Sequence, residues 1–343
     1  MGGNALSYKS VRLNKEVYKQ ITSDTLSKLR QVFPGRVQDI KAYRNKESFG
    51  DLDILIESTA YDPFLAAKTL SAVEVVRNGP VTSFGVKIDP SVIDLEHVTF
   101  QIDLIKAAPA EFEYTLAYFG FNDLGNLIGR TAHKAGLTHR HDGLFFYHRD
   151  GTYKFRELLL TQDHDKALEF LGYSAARYHQ GFDDLEDIFQ YVAGSSFFNR
   201  DIFLLENRNA QARVRDRKRK TYMEFLAWCE QHPNLPAYTY PSSKSVWLPR
   251  IIKHFPDFAT NYAQSQADLA LVRQLKSISN GTRVSALTGL KGKELGFVMK
   301  ALRESFASKE DEVEFFLNAS DEEYTQRVKT VQDKIQTESK NHV

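Results

Sequence analysis

The sequence predicts an α+β fold, with strands and helices mixed over the first half and helices alone after about residue 163. Three observations carry this. Val98–Ile105 alternates: Val98, Phe100, Ile102 and Leu104 are apolar, while Thr99, Gln101 and Asp103 are polar. That period of two marks a half-buried strand. Asp51-Leu52-Asp53-Ile54-Leu55-Ile56 reads as a second strand with carboxylates at its start. Beyond Asp163 strand alternation fades and helical spacing of apolar residues replaces it.

The elements follow in order. Residues 13–33 form a helix on near-periodic Leu13, Val17, Ile21, Leu26 and Leu29, stopped by Phe33-Pro34-Gly35. Strands are expected at 37–43, 51–57, 84–88 and 98–106. A helix is expected at 62–77, ended by Asn78-Gly79-Pro80. Leu144–His148 and Tyr153–Glu157 make a hairpin around Arg149-Asp150-Gly151-Thr152. Helices are then expected at 163–171, 183–193, 199–230, 245–254, 258–276, 292–306 and 321–337. Pro233, Pro236 and Pro241 make 231–243 a loop.

The chemistry concentrates at Gly50-Asp51-Leu52-Asp53. Side chains alternate along a strand, so Asp51 and Asp53 share a face. Two parallel carboxylates repel and resist desolvation unless a cation lies between them. Gly50 lets a ligand approach the backbone. If the 98–106 strand lies alongside, Asp103 joins them. Three convergent carboxylates can hold two divalent ions about 3.5–4 Å apart, as in-line phosphoryl transfer requires. The plainer reading leaves Asp51 or Asp53 at a strand edge and Asp103 in solvent.

At these residues the chain resembles the DNA polymerase β-like nucleotidyltransferase superfamily. That group includes family X polymerases, transfer-RNA nucleotidyltransferases and poly(A) polymerases. Its pattern is a Gly-Ser turn, Asp-x-Asp on a strand, and a third Asp on a later strand. Tyr43, Arg44 and Lys46 fit the region before the acidic pair, but Lys41-Ala42 replaces the Gly-Ser. Tyr118, Phe119 and Gly120 lie in a segment similar to the aromatic turn under the incoming sugar, with the helix ending near Leu137 after it. Lys154–Thr161 and Lys166–Tyr173 resemble the thumb. The resemblance spans about residues 36–175. It implies a nucleotidyltransferase palm of mixed sheet and helices over 36–175, preceded by an N-terminal helix in 1–35. A helical domain would fill 176–343.

The resemblance implies Mg²⁺ or Mn²⁺, two ions, on Asp51, Asp53 and Asp103, which are also the catalytic residues. Arg44, Lys46, Ser48, Gly50, Tyr118, Phe119 and Gly120 would hold the nucleotide. Arg213, Arg215, Arg217, Lys218, Arg219 and Lys220 form a basic helical run for nucleic acid, with a solvated helix face as the rival. Lys291 and Lys293 sit in a Gly-Lys turn before a helix, similar to one in the transfer-RNA enzymes; such a turn can seat a phosphate. The other signatures of CCA addition are not found.

The 343 residues carry 45 basic and 44 acidic groups, a net charge of +1. Bulk basicity is therefore excluded as a route to nucleic acid, leaving local patches. One cysteine, Cys229, excludes a disulfide framework and fits a reducing, cytoplasmic compartment. No apolar run reaches membrane-spanning length, so no membrane partner is expected. His133, His139, His141 and His148 read as surface or phosphate-contacting groups rather than a zinc site. Gly2, Gly3 and Asn4 are expected to be flexible, with a cover over the active site as an alternative.

The expected activity is transfer of a nucleoside monophosphate from an NTP to a hydroxyl, with release of pyrophosphate. The favoured acceptor is an RNA 3′ end. The alternatives are nucleotidylation of a small molecule or protein, and a catalytically degenerate nucleic-acid-binding protein on the same fold.

Overall fold

The alternating segments of the first half assemble into one five-stranded sheet. A computed structural model of the protein describes residues 5–8, 10–57, 59, 61–88 and 99–340; Gly2, Gly3 and Asn4 lie outside that set. The chain enters through β1 (Leu13–Asn14) and α1 (Lys15–Val32), whose first turn Asn14 caps by accepting from Val17 N. Next come β2 (Val37–Asp39), β3 (Ser48–Phe49), β4 (Asp51–Glu57), α2 (Pro63–Leu70), β5 (Ala72–Asn78), β6 (Val81–Lys87) and β7 (Thr99–Ala107). The sheet order is β2-β4-β7-β6-β5. Only the β4–β7 pair is parallel, so the sheet is mixed.

The period of two gives the sheet two different faces. Leu52, Ile54, Ile56, Phe100, Ile102 and Leu104 pack with Leu26 and Leu29 of α1 in the main core. On the other face Leu55, Ile105 and Ala107 pack with Ile40 and with Phe112, the first residue of α3 (Phe112–Phe119). The carboxylates stand on this second face, beside that smaller cluster.

The chain continues through α4 (Leu124–Lys134) and a three-stranded sheet of β8 (Leu137–Arg140), β9 (Gly143–Asp150) and β10 (Tyr153–Thr161). Then follow α5 (His164–Phe170), α6 (Ala175–His179), α7 (Leu185–Ala193), α8 (Ala210–Arg217), α9 (Lys220–Gln231), α10 (Leu248–His254) and α11 (Pro256–Ile278). The last helices are α12 (Gly281–Thr288), α13 (Gly292–Glu304), α14 (Lys309–Asn318) and α15 (Asp321–Lys340). No helix among the described residues is long and apolar enough to cross a membrane.

The protein divides into two compact units. One holds residues 1–149 and 156–259, the other 150–155 and 260–343. The boundary expected at 175/176 therefore falls inside the first unit. In the second, Val284, Val298, Leu302, Phe316, Tyr324 and Val328 form the core, and the Arg283 guanidinium lies 3.9 Å from the Tyr324 ring.

Several boundaries differ from expectation. The helix expected over 62–77 stops at Leu70, where Ser71 takes a left-handed conformation and accepts the role of C-cap. Residues 72–78 instead form edge strand β5, and Asn78-Gly79-Pro80 turns a hairpin into β6, with Asn78 opposite Val81. The β-branched Val73, Val75 and Val76 favour this outcome. The expected 37–43 strand ends at Asp39, and β8, α3, α6, α12 and α14 were not anticipated. The single helix expected over 199–230 is broken. Asn209 caps α8 after two short 3₁₀ turns, and α9 starts afresh at Lys220.

Candidate metal centre

Sheet register builds this site. Asp53 of β4 lies opposite Asp103 of β7, which lies opposite Ser83 of β6; one row below, Asp51 lies opposite Gln101 and Gln101 opposite Gly85. Asp51, Asp53 and Asp103 therefore share one face of two neighbouring parallel strands. Each offers a carboxylate oxygen within 4.8 Å of the others. Asp51 and Asp53 are half-buried and Asp103 is buried.

The electrostatics fit a cation. Burial, then the charges of Asp51 and Asp103, push the Asp53 carboxyl up to about 8, and the Lys46 ammonium offsets part of this. Asp103 is also raised, mainly by burial, although hydrogen bonds from Ser83 and Gln101 pull it back. Carboxylates that must share a proton to coexist are relieved by a divalent ion. The all-oxygen donor set suits a hard divalent cation better than softer metals.

A cavity of about 270 Å³ opens over the carboxylates, lined by Tyr18, Lys41, Ala42, Lys46, Phe119 and Asn122 among others. Tyr18 stacks on Phe49 with ring centroids 3.8 Å apart. Lys46 stands 4.9 Å above the same Phe49 ring, and burial lowers its pKa against the pull of Asp51 and Asp53. Phe121 and Asn122 both hold positive φ, 58° and 62°. Such conformations cost about 1–2 kcal/mol each for residues with a side chain. Phe121 N donating to Lys41 O at 2.7 Å and the Phe121 ring against Phe182 at 4.8 Å hold the turn. These contacts hold the turn at the edge of the cavity, where Asn122 lines it.

The other expected nucleotide contacts divide. Lys46 and Phe119 line the carboxylate cavity, and Gly50 is buried immediately before Asp51. Arg44 does not line it; its guanidinium pairs with Asp183 and donates to Gln180 O. Ser48 is also occupied, accepting from Arg12 Nε at 2.8 Å. The Tyr118 ring packs on His139. Gly120 lines a second cavity of about 720 Å³, which shares Lys41 and Ala42 with the first. Lys41, standing where the Gly-Ser turn was sought, thus reaches both cavities.

The basic run is largely tied down. Arg213 donates to Leu205 O and Arg208 O, Arg215 to Asp216, and Arg219 to Asp123, while Lys220 pairs with Glu224. Arg217 and Lys218 are exposed, and no partner is seen for them among the described residues. Lys291 and Lys293 are exposed at the start of α13 in the second unit. The expected surface histidines need correction. His139 and His148 are buried, and His139, desolvated against Tyr114 and Tyr118, is held neutral with its pKa lowered to about 4.

Tyr18, Ser83 and Asn122 were not anticipated as parts of the site. Gln101 was visible only as a polar residue on the Asp103 face. No protein-family model matches the chain, and no curated protein matches it in sequence.

Proposed function

We propose that the protein is a metal-dependent nucleotidyltransferase, with the fold around the carboxylates acting as a palm. The observation that carries this reading is the convergence of Asp51, Asp53 and Asp103 on parallel neighbours β4 and β7. Divalent ions bound there would polarise the α-phosphate and acidify the attacking hydroxyl. Lys46, and Lys41 beside it, would hold the triphosphate. The strained Phe121–Asn122 turn and Phe119 would wall the sugar. The hydroxyl oxygen bonds to the α-phosphorus, the α–β anhydride bond breaks, and pyrophosphate leaves. Asp103, beside the attacking hydroxyl in this reading, would take its proton.

The acceptor in this reading is a nucleic-acid 3′ end, an RNA end foremost, with the exposed Arg217 and Lys218 of the basic run, for which no partner is seen among the described residues, facing it. A second reading is favoured by the 720 Å³ cavity next to the site, lined by His164, Tyr178, Phe121 and Phe182. That volume suits a small-molecule acceptor. Incubation with each labelled nucleoside triphosphate and Mn²⁺ or Mg²⁺, with RNA primer, DNA primer or neither, tests both. Primer extension supports the first reading, and label transfer only in the presence of small molecules supports the second. No metal-dependent turnover of any triphosphate would overturn both.

A further inference from the structure

Gln101 links the segment around Ala5 to the Asp103 carboxylate. Its Nε2 donates to both oxygens of Asp103, at 3.0 and 2.9 Å. A donor so nearly equidistant bridges the two oxygens, while each oxygen keeps lone pairs for another partner. The amide orientation is set from outside, because Ala5 N donates to Gln101 Oε1 at 2.9 Å. A backbone N–H can only donate, so the oxygen must face Ala5 and the NH₂ must face Asp103.

The segment supplying that N–H is itself held. Ser7 N donates to both oxygens of Glu74, at 2.8 and 3.1 Å, and Tyr8 N to one at 3.1 Å. Leu6 lies over Gly85, the β6 residue opposite Gln101; a Cβ there would sit 3.2 Å from Leu6 Cδ1. Val11 N donates to Thr99 O at 3.0 Å farther along. Glu74 stands on edge strand β5, separated from β7 by β6.

We infer that Gln101 is a positioning residue for Asp103, and that residues 5–8, pinned by Glu74, set its orientation. The inference rests on the metal-centre reading. Groups that hydrogen-bond a metal ligand and hold its orientation contribute about 10–100-fold to metal affinity. Glu74 thus influences the metal centre through a hydrogen-bonded chain from Glu74 to residues 5–8, Gln101 and Asp103.

The test is a double-mutant cycle on Mn²⁺ affinity, read by electron paramagnetic resonance of free and bound Mn²⁺. Gln101→Ala is expected to weaken binding about tenfold and Glu74→Ala about three- to tenfold. Glu74→Ala should add nothing in the Gln101→Ala background. Glu74→Gln, which keeps an acceptor for Ser7 and Tyr8, should restore near-wild-type affinity. Unfolding midpoints establish that each variant is folded. Wild-type protein that fails to bind Mn²⁺ would overturn the metal-centre reading and this inference with it. Wild-type binding with unchanged affinity in Glu74→Ala, or additive losses, would overturn this inference alone.

Discussion

Asp53 and Asp103 are register partners on parallel strands β4 and β7. That single pairing brings together carboxylates 50 residues apart in the sequence. Neighbouring strands lie only about 4.8 Å apart, so carboxylates paired on one face repel each other. Burial, and then the charges of Asp51 and Asp103, push the Asp53 carboxyl up to about 8.

This gives a pH dependence of definite sign. A carboxyl raised in the folded state contributes stability that is complete below its unfolded pKa, near 4, and is lost as pH rises through about 8. Metal-free protein should therefore melt at a lower temperature at pH 8.5 than at pH 6. Mn²⁺ should raise the midpoint more at pH 8.5. Asp53→Asn should remove most of the slope, raise the metal-free midpoint at pH 8.5, and abolish both the Mn²⁺ response and turnover. Thermal melts at the two pH values check this; an undiminished Mn²⁺ response in Asp53→Asn would remove that carboxylate from the centre.

Lys46 and Arg44 should separate in function. Lys46 lines the carboxylate cavity, whereas Arg44 is engaged with Asp183. Lys46→Met is expected to raise the nucleotide KM about tenfold, roughly 1.4 kcal/mol, as befits one charged hydrogen bond. It should also tighten Mn²⁺ binding, because it removes a competing cation. Arg44→Ala should leave the nucleotide KM nearly unchanged. The reverse ranking would move the triphosphate toward Arg44.

Salt dependence of primer binding should be shallower than six basic residues suggest. Only Arg217 and Lys218 lack a seen partner in that run among the described residues. Replacing both by Gln should flatten the log–log salt slope by about 1.4, at about 0.7 per phosphate on a single strand. A salt titration of primer affinity reads this directly. An unchanged slope would favour an acceptor other than a nucleic acid.

The buried pair under the run is a stability prediction. Asp216 is fully buried and accepts from Arg208 Nε at 2.8 Å. Asp216→Ala strands a buried guanidinium, which costs about 3–5 kcal/mol. Urea unfolding should show that loss in the midpoint. A change below about 1 kcal/mol would mean that Arg208 escapes to solvent.

Much of the site was legible because strands write their faces into alternate residues. Asp51, Asp53 and Asp103 could be set on polar faces without any knowledge of their neighbours. The helix-to-strand change at Ser71 was only weakly written: Val73, Val75 and Val76 lean toward a strand, but the segment is settled as one when β6 offers its hydrogen bonds. Likewise the basic run reads as one charged helix. Only the packed protein reveals that Arg213 meets the Leu205 and Arg208 carbonyls, that Arg215 turns to its neighbour Asp216, and that Arg219 meets Asp123 of a distant segment.

The sequence by itself determined which residues carry the charge and which face of each strand they take, because backbone geometry alternates side chains whatever surrounds them. Tertiary structure alone decided that β4 and β7 are neighbours and that Asp53 meets Asp103 rather than Gln101. It also decided that Arg44 pairs with Asp183 and that Ala5 reaches Gln101. Those are matters of register and long-range hydrogen bonding. They are settled only when the whole sheet closes, and no local pattern encodes them.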